Sequence, residues 1–265
     1  SGSGSAAHTY SAPGIYYVTV TVSDDSGATQ SATLMHQVFL TTSAQAPSVS
    51  ASIAYETRSG APSRLWVVNA DNDSVSVFDT VTRARLAEIA VGAAPRTLAI
   101  APDGSVWVTN KQAASVSVIS AATLAVTGTI ALPRGSQPYG VAMARASGNA
   151  LIALEGTGQL LKVSTASFAT TGTLAVGANP RHVTVAADGS TAYVTRFVTP
   201  PLAGEATAAV NTASGGGQVV VVDSTAMSAA GTIVLAHSNV PDAENQGRGI
   251  PNYLGAAAIS PDGTQ

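Results

Sequence analysis

The chain has 265 residues, of which 45% are hydrophobic and only 10% are charged, and it contains 25 glycines. This composition is typical of many short strands and tight turns, and the absence of cysteine excludes disulfides, thiolate metal sites and Cys-x-x-Cys-His haem attachment within these residues. A net charge of −3 without a basic run disfavours binding to nucleic acid, so we predict no nucleic-acid partner.

The first predicted element is a β-hairpin at residues 8–33, HTYSAPGIYYVTVTVSDDSGATQSAT. The segment YYVTVTV alternates strictly, DDSG marks a turn, and a second run then begins, which is the pattern of a hairpin in a sandwich. The stretch closely resembles the second half of a PKD domain, an immunoglobulin-like module in which HTY, a following PG and a Y-V-T-V-T-V strand recur. The family's earlier strands are absent, so we expect residues 1–42 to be the C-terminal part of a PKD-like β-sandwich. A linker rich in Thr, Ser, Ala and Pro is predicted at residues 43–52.

A repeat follows the linker. Pro95, Pro138 and Pro180 each precede a strand that ends in a glycine turn, in APRTLAIAPDG, QPYGVAMARASG and NPRHVTVAADG, at spacings of 43 and 42 residues. A last copy, IPNYLGAAAISPDG, contains Pro251. Self-similarity at such a period indicates one supersecondary unit per repeat.

Each copy contains the same succession of short β-rich segments. The segment after the turn reads LWVVN, VWVTN, ALIAL or AYVTR, and the next reads SVSVFD, SVSVIS, QLLKVS or QVVVVD. The unit closes with LAEIAVG, VTGTIALP, TTGTLAVG or AAGTIVLA. Val, Ile, Thr and Tyr favour strands, and Asp-Gly favours tight hairpins. Four strands per period predict one antiparallel blade per repeat, and therefore an all-β protein with a β-propeller.

These residues resemble the YVTN β-propeller repeat over about residues 64–263. WVTN, SVSVI, GTIAL and PYGVA carry the resemblance in one copy, and AYVTR, VVVVD and GTIVL carry it in another. The third copy departs from the pattern at LIALEG, and Arg196 stands where the tetrapeptide has Asn. The resemblance implies a propeller that closes with about seven blades.

The blade count is smaller than that. We find about four four-stranded blades plus the inner strand of a fifth, the four lying at roughly 50–91, 95–134, 138–176 and 180–236. A partial propeller would leave open sheet edges, which are an aggregation hazard. We therefore expect residues 53–265 to form a propeller that is incomplete at its C-terminus and truncated from a longer protein.

The best binding candidates follow the inner-strand prolines, because propeller ligands usually sit at the channel mouth where the inner strands converge. They are Arg96, Tyr139, Arg181 and His182, with Asn252 and Tyr253 close to the same place in the last copy. A ring of these side chains could bind an anion, a peptide carboxylate or a metal-bearing partner. Alternatively, they line a hydrated channel and pair with Asp or with backbone carbonyls. Two insertions that break the period, 197–217 and 237–253, are further candidate binding loops.

No catalytic motif is found: the sequence contains no Gly-x-Ser-x-Gly, His-Glu-x-x-His, Walker or Gly-x-Gly-x-x-Gly pattern. We therefore predict no catalytic residue, no metal ligand and no cofactor within these residues. The longest apolar runs are far shorter than the ~20 residues of a membrane helix, so we expect no membrane insertion.

The leading hypothesis is a non-catalytic, exported bacterial protein, located in the periplasm, at the cell surface or outside the cell. In it, the PKD-like module is a spacer or adhesive unit, and the propeller is a binding platform for a protein or small ligand. The alternative is the propeller portion of a larger envelope redox enzyme, because NQGRGIPNYLGAAAISPDG (245–263) also resembles a stretch of proteins that join a YVTN propeller to c-type cytochrome or di-haem peroxidase-like regions. In that case Arg96, Arg181, His182 and the loop 237–253 would face a haem-bearing domain.

Overall fold

A computed structural model of the chain describes residues 5, 7–12, 14–38, 48–199, 216–236 and 253–260. The chain divides into two compact units, residues 1–45 and 46–265. All strand pairs in the described residues are antiparallel, and the helical structure there is one 3-10 turn at Arg145–Ser147. None of the described segments forms a helix long and apolar enough to span a membrane. The predicted all-β fold is confirmed.

The first unit contains a two-stranded hairpin. β1 (Gly14–Ser23) pairs with β2 (Thr29–Val38). The Asp24 carboxylate closes the turn between them, because it accepts hydrogen bonds from the backbone N–H groups of Ser26 and Ala28. The hairpin predicted from the alternating pattern, with its turn at DDSG, is confirmed.

The second unit is a partial β-propeller. Its strands follow the two-residue strand β3 (Ser48–Val49) and form four antiparallel sheets of consecutive strands, the blades. Blade one contains β4 (Ile53–Glu56), β5 (Arg64–Asn69), β6 (Ser74–Asp79) and β7 (Arg85–Ala90), and blade two contains β8 (Pro95–Ile100), β9 (Val106–Asn110), β10 (Ser115–Ser120) and β11 (Ala125–Ala131). Blade three contains β12 (Pro138–Ala144), β13 (Asn149–Leu154), β14 (Gln159–Ser164) and β15 (Thr170–Ala175), and blade four contains β16 (Pro180–Val185), β17 (Thr191–Arg196), β18 (Gly216–Asp223) and β19 (Ser228–Ala236). In each blade the first strand is the inner one and the fourth is the outer one.

The core lies between neighbouring blades. Trp66 and Trp107 are fully buried; Trp66 packs among residues of blades one and two, and Trp107 among residues of blades two and three. A third apolar cluster joins blades three and four, with Val183 and Val194 at its centre. Because each sheet buries its faces only against the next sheet, the sequence must supply the same apolar strands in every repeat.

The blades repeat their backbone geometry at the turns. The residue immediately before each inner-strand proline adopts a left-handed φ, which is 53° at Ala94, 51° at Gln137 and 57° at Asn179. The hairpin between the second and third strands also contains one left-handed residue, at Asp73, Ala114 or Gly158. The same conformation thus recurs with different side chains, so the chain path is shared while the chemistry of each turn differs between blades.

A buried asparagine ties the second strand to the third in blade two. Asn110 Nδ2 donates to the hydroxyls of Ser115 at 3.1 Å and Ser117 at 2.9 Å. Asn69 makes the same two contacts in blade one. In blade three the position is Leu154, which is fully buried in the apolar core. In blades one and two, an Asn at the end of the second strand therefore recurs with Ser-Val-Ser in the third strand because the Asn side chain bonds to both serines.

The described end of the predicted linker is paired with the inner strands. β3 pairs with β16, the Ser50 N–H donates to the Val183 carbonyl at 2.9 Å, and the Leu98 N–H donates to the Ala51 carbonyl at 2.8 Å. An inner strand has one edge without a neighbour in its own blade, and that edge offers unpaired N–H and C=O groups. Residues 48–52 of the predicted linker use these groups.

Residues 254–260, where the sequence predicts the inner strand of a fifth blade, contact blade four without forming a sheet. The Thr184 hydroxyl of β16 donates to the Ala257 carbonyl at 2.6 Å. An inner strand is held by the second strand of its own blade, and no such partner for 254–260 lies in the part of the chain that the structure describes.

Candidate functional site

Most of the predicted site residues lie at one end of the blades, which we call the rim. At the rim each inner strand starts, and each hairpin between the second and third strands turns. Two positions of every repeat meet there. The first position, directly after the inner-strand proline, is held by Arg96, Tyr139 and Arg181; the second, directly after the second strand, is held by Lys111, Glu155 and Phe197.

Backbone hydrogen bonds place these two positions side by side in blades two, three and four. The N–H of the residue after the second strand donates to the carbonyl of the left-handed residue before the proline. The bonds run from Lys111 to Ala94 at 2.9 Å, from Glu155 to Gln137 at 3.1 Å and from Phe197 to Asn179 at 2.8 Å. The rim is therefore a repeated scaffold on which two side chains per blade can vary.

Glu155 lies at the centre of an ion-pair network that joins blades two, three and four. Its carboxylate contacts Lys111 Nζ at 2.6 Å and Arg181 Nη2 at 2.9 Å, and all three side chains are at most one-fifth exposed. Burial opposes ionisation, but hydrogen bonds from Arg181 and Lys111, together with their positive charges, hold the pKa of Glu155 below its ordinary value. The carboxylate is thus charged at neutral pH and neutralises parts of two cations.

Aromatic rings cover the same network. The Arg181 guanidinium carbon lies 3.3 Å from the centre of the Phe197 ring and 4.9 Å from that of Tyr139. Lys111 Nζ lies 5.6 Å from the centre of the Tyr139 ring. Cations held over ring faces gain from the ring quadrupole, so Arg181 is fixed by both an ion pair and stacking.

His182 lies behind this network and faces the inner segment. Its Nδ1 is 3.3 Å from the Ser50 hydroxyl, and its ring meets Tyr139 edge-on with centres 5.3 Å apart. Burial lowers the pKa of His182, a hydrogen bond with Ser50 opposes this, and the charge of Arg181 lowers it further. The imidazole is therefore neutral at pH 7, and it packs against Tyr139 and the 48–52 segment.

Arg96 differs from the other basic residues of the rim. It is partly buried, its Nε is shielded from solvent, and that atom has no hydrogen-bond partner among the described residues. Within the described residues Arg96 makes no ion pair, unlike Lys111 and Arg181. The sequence placed Arg96 and Arg181 at equivalent sites, and the structure gives them opposite surroundings.

Two depressions open at the rim at equivalent places in successive repeats. The basic depression, of about 470 Å³, is lined by Arg96, Lys111, Gln112, Gly135 and Gln137. The acidic depression, of about 430 Å³, is lined by Glu155, Gly156, Thr157, Gly158, Ala175, Gly177, Ala178 and Asn179. Each lies between the second hairpin of one blade and the connection to the next blade, so the repeat builds the same cleft twice.

The structure places Tyr253 at the rim, beside Phe197. Tyr253 has φ 61°, as do the left-handed residues before the inner-strand prolines, and its N–H donates to the Phe197 carbonyl at 2.5 Å. Its ring meets that of Phe197 with centres 5.1 Å apart. Tyr253 therefore shares the left-handed conformation of the residues before the inner-strand prolines and contacts the rim at Phe197. Asn252 lies outside the described residues.

The predicted binding loops fall largely outside the described part of the chain. Of 197–217 the structure describes only 197–199 and 216–217, and of 237–253 only Tyr253. Phe197, the first residue of the first loop, belongs to the rim through its contact with Arg181. The remainder of both loops stays a prediction.

Three rim residues were missed by the sequence analysis: Lys111, Glu155 and Phe197. A usable signal existed, because all three directly follow the second strand of their repeat, in VTNK, IALE and VTRF. The inner-strand prolines indicated only the first rim position. The second position carries the Glu155 carboxylate, which pairs with Lys111 and Arg181.

The rim can hold charged and aromatic groups in fixed positions, which suits binding. Within the described residues no three His, Cys, Asp or Glu side chains come together as metal ligands. Arg, Lys and Gln donors around a cleft are the groups that recognise oxyanions.

The two units are similar to different known proteins. Residues 1–38 match the PKD domain family. Among curated proteins, no relative matches the sequence.

Solved structures similar to this chain include three enzymes with different names. The hydrazine synthase of Kuenenia stuttgartiensis is 22% identical with a TM-score of 0.56, over 68% of this chain and 48% of its own. A catalytically inactive virginiamycin B lyase of Staphylococcus aureus, solved with quinupristin, is 13% identical with a TM-score of 0.53, over 83% of this chain and 60% of its own. The dihydro-heme d1 dehydrogenase NirN, in complex with DHE, is 14% identical with a TM-score of 0.50, over 77% of this chain and 40% of its own.

At these identities the likeness is one of fold, and the chain spans between 40% and 60% of the length of these three proteins. The blades, the rim and the family match agree on one description. The second unit is a partial β-propeller, and residues 1–38, in the first unit, match the PKD domain.

Proposed function

We propose that this chain is a non-catalytic binding or scaffold protein whose propeller rim binds a protein or a small ligand. One observation carries the proposal. In the described part of blades two to four, the rim sets the cations Arg96, Lys111 and Arg181 against the single carboxylate of Glu155. Excess positive charge beside aromatic rings on a rigid strand scaffold suits an anionic partner.

The PKD match and the resemblance of the repeats support the rest of this proposal. The PKD unit is a spacer or adhesive module, and the protein is exported to the periplasm, the cell surface or the medium, with no nucleic-acid partner and no membrane insertion. Fractionation of the source cells with an antibody against the propeller tests the location. Recovery in the cytoplasmic fraction alone would overturn it.

The blades are of the YVTN type in this proposal. Asn110 bonds to Ser115 and Ser117, and Asn69 makes the same contacts in blade one. These contacts support a common repeat, because the Asn of the tetrapeptide has the same structural role in both blades. Blades three and four have Leu154 and Arg196 at this position in place of the Asn.

A second candidate is the propeller portion of a larger envelope redox enzyme. The observation that favours it is the likeness in fold to two proteins whose names are those of enzymes, hydrazine synthase and dihydro-heme d1 dehydrogenase. In this case the basic rim would face the acidic groups of a haem-bearing domain.

The intact mass and visible absorption of the full-length native protein, purified from its source, separate the two candidates. The binding platform predicts a mass that equals the polypeptide and no absorption in the visible range. A Soret band together with added haem mass would overturn the platform in favour of the redox enzyme.

A further inference from the structure

We propose that the basic depression binds a single carboxylate group, supplied either by the C-terminus of a partner chain or by a small organic acid. This inference rests on the proposed function, because it names the ligand chemistry of one part of the rim. It is argued from the state of Arg96, from the balance of charge around the depression and from the amides that line it.

Arg96 supplies the main evidence. A guanidinium that is partly withdrawn from water loses hydration, and it recovers that loss only through hydrogen bonds to an acceptor. Arg181, at the equivalent site of blade four, has Glu155 as that acceptor. Arg96 has no such acceptor among the described residues, and its shielded Nε–H is without one. A carboxylate in the depression would provide it, since carboxylate and guanidinium form paired hydrogen bonds.

The charge around the depression favours a singly charged ligand. Lys111 also lines the depression, but its ammonium contacts Glu155 at 2.6 Å and is largely neutralised. Asp73, on the hairpin of blade one, uses Oδ1 to accept the N–H of Ala94. Arg96 therefore forms no ion pair with Asp73 or with any other described carboxylate, so one positive charge is available to a ligand, which matches a monovalent carboxylate better than a divalent phosphate.

Two amide side chains complete the lining. Gln112 and Gln137 are both exposed and lie on opposite walls, one on the hairpin of blade two and one on the connection to blade three. Each amide carries two N–H donors, which can reach the second oxygen of a carboxylate without adding charge. In the acidic depression the residue equivalent to Gln112 is Gly156, so that position offers no side-chain donor.

The test follows the Nε–H resonance of Arg96 in the full chain during titration with N-acetyl-trialanine that has a free C-terminal carboxylate. The same peptide with a C-terminal amide is the matched control, because it differs only in the charged group. We expect the free acid to shift the Arg96 resonance and the amide to leave it unchanged. Acetate as a third probe separates the two sources: tighter binding of the peptide supports a chain terminus, and equal binding supports a small acid.

Two arginine variants supply the second control. Arg96→Gln removes the proposed partner and is expected to weaken binding of the acid at least about tenfold, the effect typical of a lost charge-assisted hydrogen bond. Arg134→Gln removes the same charge from an exposed side chain that lies on the connection to blade three but does not line the depression, and it is expected to change affinity less than about twofold. Fluorescence of Trp66 and Trp107, both buried in the propeller, checks that each variant is folded.

The outcomes separate this inference from the proposed function. Equal weakening by both variants, or equal binding of the amide, would overturn a carboxylate site at Arg96. Acid-dependent shifts confined to Arg181 and Tyr139 would also overturn it, while leaving the rim as a binding surface. Absence of any shift would overturn the carboxylate site, and the absorption experiment would still decide between platform and redox enzyme.

Discussion

The acidic and basic depressions of the rim are built from the same positions of two successive repeats, yet they carry opposite charge. Glu155 takes the place of Lys111, and Gly156 takes the place of Gln112. The backbone is the same in both, with a left-handed residue before the proline and one in the hairpin. These two replacements in the hairpin therefore help to decide whether the cleft can attract an anion.

The two depressions are also coupled. Lys111 belongs to the basic depression and Glu155 to the acidic one, and their ion pair crosses from one blade to the next. The carboxylate of blade three thus neutralises cations of blades two and four, and Arg96, which lies in blade two with Lys111, is the rim cation that has no ion-pair partner among the described residues. Equivalent positions in a repeat protein acquire different chemistry through their neighbours.

The largest expected effect concerns the last residue of the second strand in each blade, directly before the hairpin to the third strand. Leu154→Ala should destabilise the propeller by about 2–4 kcal/mol, because it leaves a cavity in the core of blade three. Asn110→Ala, at the equivalent position of blade two, should cost about 1–2 kcal/mol, mainly from the unpaired hydroxyls of Ser115 and Ser117. Urea unfolding followed by tryptophan fluorescence measures both; the reverse order would contradict the assignment of apolar and polar anchors.

The next effect tests the close approach of backbone in the acidic depression. A Cβ on Gly156 would lie 2.2 Å from the Gly135 carbonyl oxygen, so Gly156→Ala should destabilise the protein by about 1–3 kcal/mol. Gln112→Ala, at the equivalent and exposed position of blade two, should change stability by less than about 0.5 kcal/mol. If both variants unfold at the same urea concentration as the parent, the tight contact at Gly156 does not exist in solution.

The third prediction removes the carboxylate that joins the depressions. Glu155→Gln should destabilise the propeller by about 1–2 kcal/mol, because two partly buried cations lose their partner. Glu88→Gln removes a carboxylate whose partner Arg85 is more than half exposed, and this control should cost less than about 1 kcal/mol. The difference between the two urea midpoints is the measurement, and a larger effect at Glu88 would refute the central role of Glu155.

The smallest effect is a pH dependence. Because the pKa of His182 is lowered in the folded state, the unfolded chain binds more protons once the pH falls below about 6.5, and the unfolding free energy then decreases. This single group contributes at most about 1.4 kcal/mol per pH unit. Glu155, whose pKa is also lowered, contributes stability above its unfolded pKa of about 4.3 and loses it only at more acid pH.

The two groups therefore act in separate pH windows. Urea midpoints measured between about pH 5.5 and 7.5 should decline toward acid pH in the parent protein and decline less in His182→Gln. His36→Gln, in the other compact unit, should leave the decline seen by tryptophan fluorescence unchanged. An identical decline in parent and His182→Gln would show that another group is responsible.

The strands and turns of this protein were open to prediction because their causes are local. Alternation in YYVTVTV and the recurrence of Pro, Gly and Val-Ser-Val act over a few residues, and they were sufficient for the hairpin, the four blades and the first rim position. Residues 48–52 were not predictable in this way. Their partners, such as Val183 and Leu98, are inner-strand residues far along the chain, and a Ser-rich segment carries no pattern that reveals them.

The sequence by itself determined that the chain is all-β, that its repeats are blades, and that Arg96, Tyr139 and Arg181 occupy equivalent places. Only the tertiary structure decided which cations of the rim have an ion-pair partner. Glu155 reaches Lys111 and Arg181 because the blades that carry them are neighbours, and its two bonds span 44 and 26 residues of sequence. Charges pair according to distance in space, and that distance is set when the blades pack against one another.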